Sequence, residues 1–297
     1  MTDEWPAASD EPTRPPRIDT TVASLARVWN YLAGGRDNFK ADRQVAQQLV
    51  TAAPVMANVP AATQMFLRRV ITYLAEEAGI RQFMDIGLGI PAADSAHEVA
   101  RPIAPECRFV NVDSDPMVLL HAQALRSPRE GGAAYISGSA REPDAIISRA
   151  REALDFGKPI AIVLTGVLNF IADSDEVAAI LAALLAPLAS GSFLTVAGPT
   201  ADERMAAAQQ QWNSGARSTV ILRDHEEVAA WFTGLDLVDP GVVDVDKWRP
   251  APGDPVFDGG MPVYGAVARK TLRCLETGSS RTPGRVGPAG PSPAAST

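Results

Sequence analysis

The chain has 297 residues, with 27 Lys+Arg against 35 Asp+Glu and a formal net charge of −8. That balance disfavours nucleic acid as a partner, since binders of its phosphate backbone present a basic face. The two cysteines, Cys107 and Cys274, are too few and too far apart for a disulfide framework or a thiolate metal site, so no metal is expected. No apolar run reaches membrane-spanning length and no apolar signal core opens the chain, which leaves a cytoplasmic enzyme or binding protein as the expectation.

Residues 1–17 carry four prolines and little apolar periodicity, the composition of a disordered tail. Asp19, Thr20 and Thr21 form a capping cluster ahead of Val22, Leu25, Val28, Trp29 and Leu32, whose spacing predicts a helix ending at Gly34-Gly35. A second helix is expected over about 41–50. A third opens at Pro60 and ends at Gly79, so residues 18–79 read as a helical N-terminal cap. Between the first two lies Gly34-Gly-Arg-Asp-Asn-Phe39. Locally it is either a helix C-cap followed by a turn or a polar loop folding over a ligand. Arg68-Arg69 reads as a solvated face in preference to a phosphate clamp.

Residues 80–272 alternate strand and helix. Phe83 to Ile86 is a short buried strand running into Gly87-Leu-Gly89, with a helix beginning near Asp94 or Ser95. Strand, glycine turn and helix N-terminus together form a cradle for the ribose end of a nucleoside cofactor. The second strand, 108–112, closes on Asp113-Ser-Asp-Pro116, where Asp115 suits an N-cap ahead of proline and Asp113 is free to face the crevice. Strands follow at 133–137, 159–165 and 192–197. The fourth is apolar throughout, the mark of a central strand buried on both faces. Helices are expected through Ile146-Ile147 and from Asp173-Ser174 to Leu188. An insert of about 199–223, helical over 202–212, is not needed for the sheet. A helix from Arg223 to near Phe232, strands at 235–239 and 263–268, and a Pro/Gly-rich loop with Trp248 complete the order. The predicted architecture is α/β, a seven-stranded, mostly parallel sheet with right-handed crossovers and its last strand antiparallel. Residues 273–297 have the composition of a second disordered tail.

Gly87-x-Gly89-x-x-Ala92 satisfies the dinucleotide pattern, and Asp113 follows at about the interval of a ribose-binding acid, so NAD and S-adenosylmethionine (SAM) are both candidates. Three features favour SAM. Asp85 stands where dinucleotide folds place an apolar residue, and its carboxylate suits either the amino-acid end of SAM or a structural role in the loop. Pro91 leaves less room for a phosphate-binding helix turn, and no Tyr-x-x-x-Lys pair occurs.

Several blocks then resemble a bacterial family of S-adenosyl methyltransferases. They are Ile18-Asp-Thr-Thr-Val22, Ala26-Arg-Val-Trp-Asn-Tyr-Leu32, Gly34 to Phe39, Phe66-Leu-Arg-Arg69, Asp85 to Pro91, Val112 to Pro116, Leu154-Asp-Phe156, Trp248-Arg-Pro250 and Tyr264-Gly265. The resemblance implies the class I methyltransferase fold and SAM as cofactor. It implies Asp85, Gly87 and Gly89 at the methionine end, Asp113 on the ribose and Ser114 or Asp115 near the adenine. Ser139, Ala140 and Gly166 complete the expected cofactor set, while Tyr31, Asp37 and Asn38 would close over it. The family pattern has an acid where Ser139 stands and often a histidine where Asn169 stands, so no catalytic base is assigned. His97, His121 and His225 fall on predicted helices and read as structural or exposed. The reading is methyl transfer, by positioning and desolvation, to a small-molecule acceptor over the carboxyl edge of the sheet. The alternatives are a nicotinamide-dependent oxidoreductase or a non-catalytic SAM-binding regulator. The acceptor and the oligomeric state are not legible.

Overall fold

A computed structural model describes residues 18–91, 95–124, 132–215 and 218–271; both terminal tails, Asp94 and Ala92 lie outside them. Its centre is a sheet of eight strands among the described residues: β1 Gln82–Ile86, β2 Arg108–Asp113, β3 Ala133–Ser137, β4 Ala161–Thr165, β5 Phe193–Pro199, β6 Asp236–Leu237, β7 Val243–Asp244 and β8 Val263–Arg269. The order is β3-β2-β1-β4-β5-β8-β6, with β7 also paired to β8. The first five strands are parallel, and β8 runs antiparallel to β5, β6 and β7. Seven strands were expected. The eighth arises because the loop before β8 lays Val243 against Gly265 and Asp244 against Tyr264.

The interleaved helices are α4 Ala96–Ala100, α5 Pro116–Ala124, α6 Pro143–Ala150, α7 Ser174–Leu185 and α9 His225–Ala230, preceded by α1 Leu25–Leu32, α2 Lys40–Ala52 and α3 Val59–Glu76; α8, Glu203–Gly215, lies in the insert. β1 and β4 are buried on both faces except at Thr165; the apolar run of β4 requires this, whereas β1 buries Gln82 and Asp85 along with Phe83, Met84 and Ile86. Two apolar clusters result. One joins α1–α3 and α8 to one face of the sheet through residues such as Phe66, Ile71 and Phe83, and the other packs α6, α7 and α9 on the opposite face around Met84 and Ile162.

Local chemistry sets most of the boundaries. Asp115 accepts from the Met117 amide at 2.8 Å and Asp173 from that of Asp175, so both cap as expected. The Asp224 carboxyl and Glu227 form a reciprocal capping box on α9. The first helix starts later than its sequence suggests. Asp19 is taken up by its own turn to Thr21, Arg27 draws the carbonyls of Asp19 and Val22 inward, and Ser24 becomes the N-cap. Arg27 is buried against Asp42 at 2.9 Å, which fastens α1 to α2.

Arg69 is not a solvated residue. It pairs with Asp254 at 3.0 Å and donates to the Val245 carbonyl, tying α3 to the loop before β8. Trp248 is core and does not reach the cavity; it meets Phe66 and Tyr73 edge-on, and Arg249 lies 4.2 Å over the Tyr73 ring. Gly265 admits this packing, since a Cβ there would stand 2.8 Å from the Phe66 ring.

Candidate active site

The carboxyl ends of β1 to β5 open into one cavity of about 1110 Å³, roofed by α1, α3 and α8. That exceeds the ~300–1,000 Å³ of a typical single-ligand pocket, enough for two molecules side by side. Gly87, Asp113 and Ser139 bound one side of it; Gly166, Gly198 and the insert bound the other.

The glycine turn is built as its residues demand. Gly87 and Gly89 both have positive φ, +83° and +68°. A Cβ on Gly87 would lie 2.2 Å from Val167 Cγ2, whereas nothing lies within 4 Å of one on Gly89, so that backbone borders open space. Asp113 braces the turn: its Oδ2 accepts from the Gly89 amide at 2.9 Å and its Oδ1 from the Asp115 amide at 2.8 Å. Each carboxylate oxygen keeps a further lone pair for a hydroxyl. Burial, only partly opposed by those amide hydrogen bonds, pushes the Asp113 carboxyl above the usual range.

Asp85 forms part of the cavity wall under this turn and is almost fully buried; its Oδ1 has no hydrogen-bond partner. Desolvation, reinforced by the charge on Asp113, pushes its carboxyl up to about 7. A buried carboxylate oxygen without a donor is unfavourable by itself and suits a cationic ligand group.

The wall also includes Ser114, Ser139, Ala140 and Gly166. Ser139 forms a turn, accepting the Arg141 amide at its hydroxyl and the Glu142 amide at its carbonyl. Gly166 has φ +67° and donates to the Ala197 carbonyl. Tyr31, Asp37 and Asn38 stand apart from this wall. The Tyr31 hydroxyl accepts from Gln47, Asp37 lies 3.8 Å from His121 of α5, and Asn38 is held by Asn30, Gly35 and Arg43.

The cavity is reached here instead by Gly35 of the loop and by Asn30 of α1, which holds the loop. Its Oδ1 accepts from the Asp37 amide and from Asn38 Nδ2, each at 3.0 Å, and Gly35 is glycine because a Cβ would strike the Asn30 amide. Sequence reasoning passed over it because an asparagine inside an amphipathic helix carries no local signal. Arg68, on the α3 surface that also faces α4, lines the cavity too.

Asn169 lies outside the wall. It is buried, donates to the Pro199 and Ile221 carbonyls at 3.0 and 2.7 Å, and so pins the insert to the end of β5. Arg223 reinforces the anchor by donating to the Leu168 and Ile171 carbonyls from a fully buried position. His97 meets Phe109 edge-on, and His225 contacts the Val242 carbonyl and Tyr264; neither lines the cavity.

A profile of the family described as S-adenosyl methyltransferase matches residues 11–271. The chain belongs to that family. A DUF574 family protein from Streptomyces avermitilis is 37% identical, with a TM-score of 0.81 over 86% of this chain and 100% of its own. A Thermobifida fusca protein named as a candidate methyltransferase is 32% identical, with a TM-score of 0.81 over 88% of this chain and all of its own. A Bordetella parapertussis protein, 16% identical with a TM-score of 0.56 over 84% of this chain and 80% of its own, shares the fold. No curated protein matches. The S-adenosyl methyltransferase is therefore a SAM-dependent enzyme on the class I fold, as the strand order already implies. No helix of this methyltransferase among the described residues is long and apolar enough to cross a membrane.

Proposed function

We propose that this methyltransferase holds SAM against the glycine turn and carries its methyl group to a small-molecule acceptor in the insert side of the cavity. The observation that carries this reading is the unpartnered, buried Oδ1 of Asp85 beside the open backbone of Gly89. Asp85 receives the ammonium of the methionine end, and Arg68, which lines the same cavity, is the candidate partner of its carboxylate. Asp113 takes the ribose hydroxyls on its remaining lone pairs, while Ser114, Ser139 and Ala140 border the adenine, and Gly166 faces the sulfur. Asn30 holds the Gly34–Phe39 loop at the rim, so Asp37 and Asn38 act on the site through Asn30, while Tyr31, held by Gln47, shields it from beside them.

Bound SAM supplies an electrophilic methyl on sulfonium; the chain orients the partners and excludes water. The organisation that goes with this reading is a helical cap over 18–79 and a SAM-binding domain over 80–272, in a bacterial cytoplasmic enzyme. The test is ligand-induced thermal stabilisation. S-adenosylhomocysteine at a hundredfold its Kd is expected to stabilise the protein by about 2.7 kcal/mol. A shift with NAD or NADP and none with S-adenosylhomocysteine would refute the reading.

A further inference from the structure

The acceptor side of the cavity has a composition of its own. It is walled by Met205, Ala208, Trp212, Val220 and Leu222 of the insert together with Phe170, which meets Trp212 edge-on at 5.9 Å. None of these is charged. Backbone carbonyls take up much of the side-chain N–H capacity of this region: Ser218 that of Trp212 Nε1, Pro199 and Ile221 that of Asn169 Nδ2, and Val220 one N–H each of Gln209 Nε2 and Asn213 Nδ2. Gln209 lines the cavity; Val220 takes one N–H of its amide nitrogen, and its carbonyl oxygen remains available as an acceptor.

Bases are missing from this side as well. Among the described residues the cavity wall contains no His, Cys, Lys, Tyr or Glu. Its acids are Asp85, Asp113 and Asp115, at the ends of β1 and β2, and Asp19, which is taken up by Thr21 at the α1 entrance. Its cations are Arg27, paired with Asp42; Arg141, paired with Glu176; and Arg68, on the α3–α4 side. An anionic acceptor would enter an insert side that holds no cation to receive it, at a large desolvation cost. A neutral alcohol or phenol would find no base to take its proton.

We infer that the acceptor is an uncharged, flat, apolar amine, seated against Phe170 and Trp212 with its N–H donated to the Gln209 carbonyl oxygen. This rests on the SAM reading above. The nitrogen lone pair forms the new N–CH3 bond while the S–CH3 bond breaks with its electron pair passing to sulfur, giving S-adenosylhomocysteine. The N–H proton is released to water after transfer, so no protein base is needed.

The test loads the full-length protein with S-adenosylhomocysteine and adds three probes of similar size: 1,2,3,4-tetrahydroquinoline, 1-naphthol and 1-naphthoate. At pH 8 the amine is expected to bind saturably by calorimetry at least tenfold more tightly than the naphthoate. With SAM in place, the amine but not the naphthol is expected to yield S-adenosylhomocysteine, at a rate flat from pH 7 to 9. Ala208→Leu should abolish amine binding, and Gln209→Met should weaken it several-fold. Both variants should keep the thermal shift with S-adenosylhomocysteine, which also certifies their folding. Naphthoate binding as tightly as the amine, no amine binding, amine binding untouched by both variants, or naphthol turnover would each overturn the inference. Failure of the wild type to bind S-adenosylhomocysteine would instead sink the reading beneath it.

Discussion

Replacing Asp85 with asparagine removes a charge that the fold buries without a partner at Oδ1, and the consequence depends on pH and ligand in opposite ways. In the free protein the carboxyl is raised from its ordinary 3.8 to about 7, first by desolvation and then by Asp113. A group whose folded value lies above its unfolded one contributes stability below the unfolded value and loses it as pH rises through the folded one. The penalty therefore develops between pH 4 and 7 and is complete above 7. A shift of about three units at ~1.4 kcal/mol each makes it on the order of 4 kcal/mol at full ionisation. Asp85→Asn should thus match the wild type near pH 4 and exceed it at pH 8, by up to roughly 10 °C in Tm for a chain of this size. The same change removes the partner of a cationic ligand group, which should weaken SAM binding by about ten- to a hundredfold at pH 8, the ~1.5–3 kcal/mol of a charge-assisted hydrogen bond. Wild-type affinity should itself fall as pH drops below 7 and the carboxyl protonates, levelling off at about the same ten- to hundredfold loss, and the variant's should not. Thermal and chemical denaturation at pH 4 and 8, with SAM titrations by calorimetry, measure all of this. A variant less stable than wild type at pH 8, or one that binds SAM equally well there, would show that Asp85 is a structural acid holding the loop.

Two further changes probe how the site is held. Gly87→Ala would place a Cβ 2.2 Å from Val167 Cγ2 at a φ of +83° and should cost about 1–3 kcal/mol in backbone strain alone, with SAM affinity lost alongside; retention of both Tm and affinity would contradict the packed-turn description. Asn169→Ala should lower stability by about 1–3 kcal/mol through the two carbonyls it strands. It should also raise hydrogen exchange in residues 200–222 while leaving S-adenosylhomocysteine affinity within a few-fold. A change confined to turnover, with exchange unaffected, would instead give Asn169 a catalytic role.

Much of this molecule is legible in its sequence because the deciding interactions are short-range. The glycine turn after Ile86, the proline-led start of α5 behind Asp115 and the doubly apolar β4 each follow from a few neighbouring residues. Their order dictates a parallel sheet and puts every loop of the cofactor cradle on one edge. The late start of α1 was not legible, because it depends on Arg27 reaching Asp42, fifteen residues on. The core position of Trp248 depends on Phe66 and Tyr73, and the eighth strand on a chance of register between residue 243 and Gly265.

The division is sharpest at the cavity. Sequence alone identified Asp85, Gly87, Gly89 and Asp113 as one cluster, because a strand end and the turn after it must lie together. Which asparagine around the first loop reaches the cavity was decided only by tertiary structure: Asn30 of α1 does, while Asn38, the more conspicuous residue of the loop motif, turns to hold the loop. The same holds for Asn169, which looks like a displaced catalytic position in sequence and proves to be an anchor across 30 and 52 residues of chain. Hydrogen-bonding groups of one residue type are indistinguishable along a chain. Burial and the nearest unsatisfied carbonyl decide which are free to bind a ligand, and both exist only once the chain has folded.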